Sequence, residues 1–192
     1  MRHYKNIEFQ FEAFYEKIKR RHQKKPSKSF LEWFIGFFEG DGSWIMRLRD
    51  ATKPDHKEVY VSISQKEKKV LVLIQTTFNF ATVTSKKSSN GKYYWYWCVY
   101  SKKKKSLFYN NLVLPTRNNA FINWVSFGQT FNHFLHLNIS VYKHRNLKVS
   151  INNSWLSGFT DAEGCFTAKA VPYKNDITKI RIEQRWIKIL YK

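Results

Sequence analysis

One nine-residue pattern occurs twice in this chain, and it constrains the fold more than any other feature. Residues 34–42 (FIGFFEGDG) and 156–164 (LSGFTDAEG) share a single order: apolar, small or apolar, Gly, Phe, any residue, acid, small, acid, Gly. The closing glycines, Gly42 and Gly164, stand 122 residues apart, enough for each copy to open a domain-sized unit. Self-similarity at that distance predicts internal pseudo-symmetry, with each unit bringing one carboxylate to a shared place.

The local chemistry of each copy is helical. Ser29 to Glu32 has the form of a capping box, and Leu31, Phe34, Phe37 and Phe38 follow at helical spacing, which predicts a helix from about Phe30 to Gly42. Gly36 and Gly40 sit four apart on one stripe, as do Gly158 and Ala162. Small residues at that spacing let two helix backbones approach closely, by analogy with membrane helices. Asp41 and Glu163 then fall at helix C-termini, where the helix dipole disfavours an acid by about 0.3 to 1 kcal/mol. For one copy alone, an acid before glycine reads as an ordinary helix stop. Two equivalent violations point instead to a compensating partner, and a hard divalent cation with oxygen ligands is the simplest.

The paired motifs resemble those of the LAGLIDADG homing endonucleases and the related intron maturases. The resemblance implies an α+β fold with an αββαββα arrangement in each half, motif helices at a pseudo-twofold interface, and an antiparallel saddle sheet lying on DNA. It implies that Asp41 and Glu163 bind Mg²⁺ (or Mn²⁺) together with the carbonyls of Gly40 and Ala162, while Glu39 and Asp161 hold structural positions. By the same resemblance the cation would activate a water for attack on the phosphodiester and stabilise the leaving oxygen. The implied function is site-specific cleavage of double-stranded DNA by an intron-encoded protein. The alternative within the same resemblance is an RNA-binding maturase that promotes splicing of its host intron.

Composition points the same way independently. Lys plus Arg number 34 against 14 Asp plus Glu, a net charge of +20, which favours a polyanionic partner such as nucleic acid. A membrane partner is not expected, since no segment has the roughly 18 consecutive apolar residues of a spanning helix. A generic basic structural protein accounts for the charge but not for the paired motifs. Cys98 and Cys165 form neither a zinc spacing nor a disulfide framework and read as packing residues. Residues 1–28 carry Glu8, Glu12 and Glu16 and lack an apolar stretch, so neither a secretory signal nor a transit peptide is expected; Ile7, Phe11, Tyr15 and Ile18 suggest a leading helix. Abundant Lys, Asn, Phe, Tyr and Ile fits an AT-rich organellar genome, a mitochondrion ahead of a plastid.

Within residues 29–136, the first repeat, two strands alternate. Trp44, Met46 and Leu48 oppose Ile45, Arg47 and Arg49; Val59, Val61 and Ile63 oppose Tyr60, Ser62 and Ser64. The resemblance implies that the second set of each strand reads the major groove, where arginine and hydroxyl groups meet base edges. After Gln65, Val70, Ile74 and Phe78 predict a helix, and residues 82–87 and 93–100 predict a hairpin around Ser88 to Gly91. Thr84 and Lys86 are its DNA-facing candidates, whereas Trp95 and Trp97 are expected to pack. The four lysines 102–105 read as a solvated loop. A helix from about Asn118, with Phe121, Trp124, Phe127, Phe131 and Phe134, is expected to close the core. Arg117 stands where relatives carry a lysine near the active site; arginine can stabilise charge but not exchange a proton.

Residues 137–153 read as a linker, with Ser154 or Asn153 capping the second motif helix. In residues 154–192, a partial second repeat, the strand 180–185 matches 61–66 position by position, so Gln184 is the counterpart of Gln65, and Arg181 and Glu183 join the DNA-facing set. Both glutamines resemble one that holds the family's active-site water. Seven residues follow Arg185, so the second repeat is expected to be incomplete, with DNA binding outlasting cleavage. A complete chain of this type would be monomeric, and an incomplete one leaves room for a partner chain.

Overall fold

A computed structural model describes residues 11–18, 25–49, 52, 57–101, 152–170 and 180–186. The expectations for Ile7, the lysine run 102–105, Arg117 and the closing helix lie outside the described residues.

Helix α1, Glu12–Lys17, is short and anchored by aromatic side chains: Phe11 and Phe14 are buried, and the Tyr15 hydroxyl donates to the Pro26 carbonyl at 2.9 Å. Helix α2, Lys28–Asp41, carries the first motif. Its cap is Ser27, whose Oγ accepts from the Phe30 N–H at 3.1 Å, and not Ser29. Ser27 has extended backbone and can aim its hydroxyl back at the first turn, whereas Ser29 already lies inside the helix. Glu32 is thereby released from a capping role and accepts from the Ser154 N–H, across in the second unit, at 3.2 Å.

At Gly42 the backbone turns extended and the chain enters strand β1, Gly42–Leu48, with no intervening loop. Strand β2, Lys57–Gln65, helix α3, Lys68–Phe78, and the hairpin of β3, Thr82–Lys87, and β4, Tyr93–Val99, follow. Pairing is antiparallel throughout, in the order β1-β2-β4-β3. Asn79 ends α3 in the left-handed region, and Gly91 takes φ +80 in the β3–β4 turn. The core lies between one sheet face and the helices: Val61, Ile63 and Trp97 meet Phe34, Ile35, Leu71, Ile74 and Phe78. Phe78 sets its ring edge-on to Phe34 at 4.8 Å and to Phe14 at 6.1 Å. Each such buried side chain contributes about 1.5 to 3 kcal/mol.

The second unit repeats the plan in helix α4, Trp155–Glu163, and strands β5, Gly164–Ala170, and β6, Ile180–Trp186. Asn153, not Ser154, supplies its cap: Asn153 Oδ1 accepts from the Trp155 N–H at 3.1 Å. The hairpin register differs from the sequence expectation. In the first unit Gly42 pairs with Ile63, leaving Gln65 two residues beyond, next to the motif helix; in the second, Gly164 pairs with Trp186 and Gln184 stands opposite Phe166. Gln184 is therefore four residues deeper in its hairpin than a counterpart of Gln65 should be. A four-residue slide preserves strand alternation, so sequence pattern alone could not detect it. Arg181 and Glu183 stand opposite Lys169 and Thr167, and their side chains lie outside the described residues.

Candidate active site

The two motif helices cross with their backbones in contact. A Cβ added at Gly36 would lie 2.0 Å from the Trp155 carbonyl oxygen, and one at Gly158 would lie 1.8 Å from that of Trp33. One added at Gly40 would meet Ala162 Cβ at 2.5 Å and Glu163 Cγ at 3.0 Å. Around this crossing the indoles exchange acids. Trp33 Nε1 donates to Asp161 at 2.7 Å, and Trp155 Nε1 donates to Glu39 at 3.2 Å. Each indole also stacks on its own motif phenylalanine, Trp33 on Phe37 at 4.9 Å and Trp155 on Phe159 at 5.1 Å. The earlier acid of each motif thus ties one helix to the other. The sequence held a signal for this: both copies carry Trp three residues before the motif's first glycine, so the repeat begins one residue earlier than the nine-residue pattern.

The two ties differ in depth. Glu39 is buried, whereas Asp161 is exposed. Glu39→Ala should therefore cost about 1 to 3 kcal/mol, because it leaves a buried indole N–H short of its acceptor, and Asp161→Ala should cost less. Chemical denaturation of the two variants checks the order, and equal losses would contradict it.

Asp41 and Glu163 close the crossing at the C-terminal end of their helices. Gln65 Nε2 donates to Asp41 Oδ2, holding that carboxylate from the end of β2. Burial, and next the charge of Glu163, push the Asp41 carboxyl up from 3.8 to about 6, against the lowering effect of Gln65. The carbonyls of Gly40 and Ala162 lie in the last helical turns, where no intrahelical donor remains. Among the described residues no group of three or more His, Cys, Asp or Glu could hold a metal. The groups gathered at the crossing that could hold a cation are two carboxylates and backbone carbonyls, all oxygen. Such a set fits a hard divalent cation, which would offset the burial and the neighbouring charge that raise Asp41.

The sheet face opposite the core holds the other candidates. Arg47, Arg49, Ser64, Thr84 and Lys86 are exposed, and Ile45 and Tyr60 are half-buried. Ser62 is a correction: it is 5% exposed, and its hydroxyl lies 3.4 Å from Cys98 Sγ, so it belongs to the sheet's internal packing. Strand register also places Glu58, Tyr94 and Tyr96 on this face, and Tyr100, just past β4, packs on Tyr60 there; none of them is singled out by the sequence. Alternation does not distinguish the β4 tyrosines, because both alternating sets of that strand are aromatic. No described helix is long and apolar enough to cross a membrane.

No protein-family profile matches the chain. A Neurospora crassa protein described as a probable intron-encoded endonuclease 4 is 33% identical over 155 residues, covering 79% of this chain. The chain spans only 26% of that relative's length. The structure of the LAGLIDADG homing endonuclease I-GzeII in complex with its DNA target matches with a TM-score of 0.56 and 17% identity, over 79% of this chain and 64% of that one. The LAGLIDADG meganuclease I-AabMI bound to uncleaved DNA matches at 0.54 and 16% identity, over 80% and 64%. These likenesses show the fold.

Proposed function

We propose that this chain, which has the LAGLIDADG homing-endonuclease fold, is a member of that family and an endonuclease acting on a specific site in double-stranded DNA. The observation that carries the proposal is the meeting of Asp41 and Glu163 at the helix crossing, with the acidity of Asp41 weakened by burial and then by its neighbour. The glycine contacts fix the spacing of the two carboxylates, and Gln65 fixes the orientation of one of them. Mg²⁺ or Mn²⁺, when bound, supplies Lewis-acid polarisation of the phosphoryl oxygen and a more acidic water. Asp41 and Glu163 would hold it, with the carbonyls of Gly40 and Ala162 as further oxygen donors. The exposed cations on the sheet face neutralise phosphates, in keeping with a net charge of +20. Synthesis from an intron is supported by the description of the fungal relative, and an organellar genome, foremost a mitochondrial one, by the composition.

The test is scission of a duplex that the protein itself selects from a pool with a randomised centre, assayed with Mg²⁺. Asp41→Asn and Glu163→Gln should each abolish cutting while duplex binding persists. Mg²⁺ should raise the melting temperature of the wild type but not of either variant. Cutting by both variants at the wild-type rate would refute the assignment, as would an identical thermal response to Mg²⁺ in all three proteins.

A further inference from the structure

Glu58 is the only acid in the four strands of the first sheet, and it sits among cations. Its Oε2 accepts from Arg47 Nε at 2.8 Å and lies 2.7 Å from Arg47 Nη2, while Oε1 lies 3.9 Å from Arg49 Nε. The carboxylate is recessed, with 16% of its side chain exposed against 52% for Arg47 and 64% for Arg49. Beneath the Arg47 guanidinium lies the Tyr60 ring at 5.2 Å, which in turn packs on Tyr100 at 5.0 Å. Strand register explains the cluster: Arg47 pairs with Glu58 across β1 and β2, and the pairing of Val61 with Val99 brings Tyr60 beside Tyr100, the residue after β4.

Stability is a weak reason for this arrangement, because ion pairs with exposed partners are worth about 0 to 1 kcal/mol. For phosphate binding the acid is a liability, since it cancels charge on the face offered to a polyanion. Geometry gives it a different value. Arginine has five N–H donors in a rigid fork, and Glu58 occupies those of Nε and one of Nη2. The remaining Nη1 and Nη2 donors form one edge, fixed in direction by the carboxylate at one side and the tyrosine ring below. A fixed pair of donors matches the O6 and N7 acceptors of guanine in the major groove.

We infer that Glu58 is a specificity-positioning residue, which holds Arg47 in place over Tyr60 and Tyr100 for a guanine base edge and restrains Arg47 and Arg49 from the phosphate backbone. The inference rests on the proposed DNA binding and adds to it the residue that makes the sheet selective. Freed of Glu58, both arginines fold down onto phosphates: affinity for any duplex rises while preference for one sequence falls.

The experiment enriches a double-stranded pool with a randomised centre on the 192-residue chain, then measures affinity for the enriched and a shuffled duplex across a salt series. Glu58→Gln should lower the enriched-to-shuffled ratio about tenfold, the loss confined to guanine positions. It should also steepen the dependence of log affinity on log salt by about one unit. Arg47→Lys, which keeps the charge but not the fork, should lose the same ratio. The double variant should lose no more than either alone, a non-additivity that a merely structural role for Glu58 would not produce. Unchanged discrimination in Glu58→Gln overturns the inference, and so do additive losses. If Glu58→Gln does not fold, Arg47→Lys decides alone, and a wild-type base profile there overturns it. A wild type that binds no duplex removes the DNA reading itself, an outcome distinct from selective binding that Glu58→Gln leaves intact.

Discussion

Gly158→Ala is expected to lower the stability of this chain by about 2 kcal/mol or more. Helix propensity alone predicts the opposite sign, since alanine gains about 1 kcal/mol over glycine in a helix interior. The added methyl, however, would sit 1.8 Å from the Trp33 carbonyl oxygen, 2.6 Å from its carbonyl carbon and 2.9 Å from its Cα. These are backbone atoms and cannot rotate aside, so the helices must part. Overpacking costs about 1 to 3 kcal/mol where side chains can adjust, and a backbone contact belongs at or above the top of that range. For a chain of this length the melting temperature should fall by roughly 4 to 8 °C. Separation of α2 from α4 also displaces Glu163 from Asp41, and misplacement of about 1 Å can cost on the order of a hundredfold in the rate of any strand scission. Gly91→Ala is the contrast: nothing lies within 4 Å, and only its positive φ resists, so about 1 kcal/mol is lost and scission is kept. Thermal unfolding by circular dichroism separates the cases, and a Gly158→Ala variant melting at or above the wild type would show that the helices do not touch there.

The parts of this fold legible in the sequence were those governed by local pattern. Alternation in 43–49 and 59–64, the Asn90–Gly91 turn and the spacing of Val70, Ile74 and Phe78 correspond to β1, β2, the β3–β4 hairpin and α3. What escaped depends on atoms brought together from elsewhere. Ser62 carries a polar side chain at a position of correct alternation, yet it is covered because Cys98 lies opposite it on β4. Gln184 aligns with Gln65 by sequence but not by register, because strand pairing is chosen by contacts along the hairpin rather than by distance from Gly164. The cap fell two residues upstream of Ser29 because either serine satisfies the composition rule and only backbone conformation distinguishes them. Glu58 was invisible for a related reason. Nothing in residues 57–65 shows that the acid will meet Arg47, since that meeting requires the β1–β2 register.

Asp41→Asn should show opposite effects on stability and on chemistry. In the folded chain the Asp41 carboxyl titrates at about 6, against 3.8 for an ordinary aspartate, so the native state binds this proton more tightly than the unfolded state. The associated stability is fully present below about pH 4 and is lost as pH rises through about 6. Two pH units correspond to roughly 3 kcal/mol, and solvent screening of a half-buried carboxylate reduces this to about 1 to 2 kcal/mol. Asparagine keeps the shape and still accepts from Gln65 but carries no charge against Glu163. The variant should therefore be the more stable protein at pH 7 without divalent cation, by about 1 kcal/mol, and its stability should stay flat between pH 4 and 6. Scission should nevertheless fall by about a thousandfold, the rate equivalent of the several kcal/mol that a ligated cation contributes. Mg²⁺ at a hundred times its dissociation constant should stabilise the wild type by about 2.7 kcal/mol and the variant far less. Urea unfolding at pH 4, 5, 6 and 7, with and without Mg²⁺, reads all of these terms. A wild type whose unfolding free energy does not decline from pH 4 to 7, or an Asp41→Asn variant that is the weaker at neutral pH, would mean that neither burial nor Glu163 disfavours the Asp41 charge, and the electrostatic ground for a shared cation would be gone.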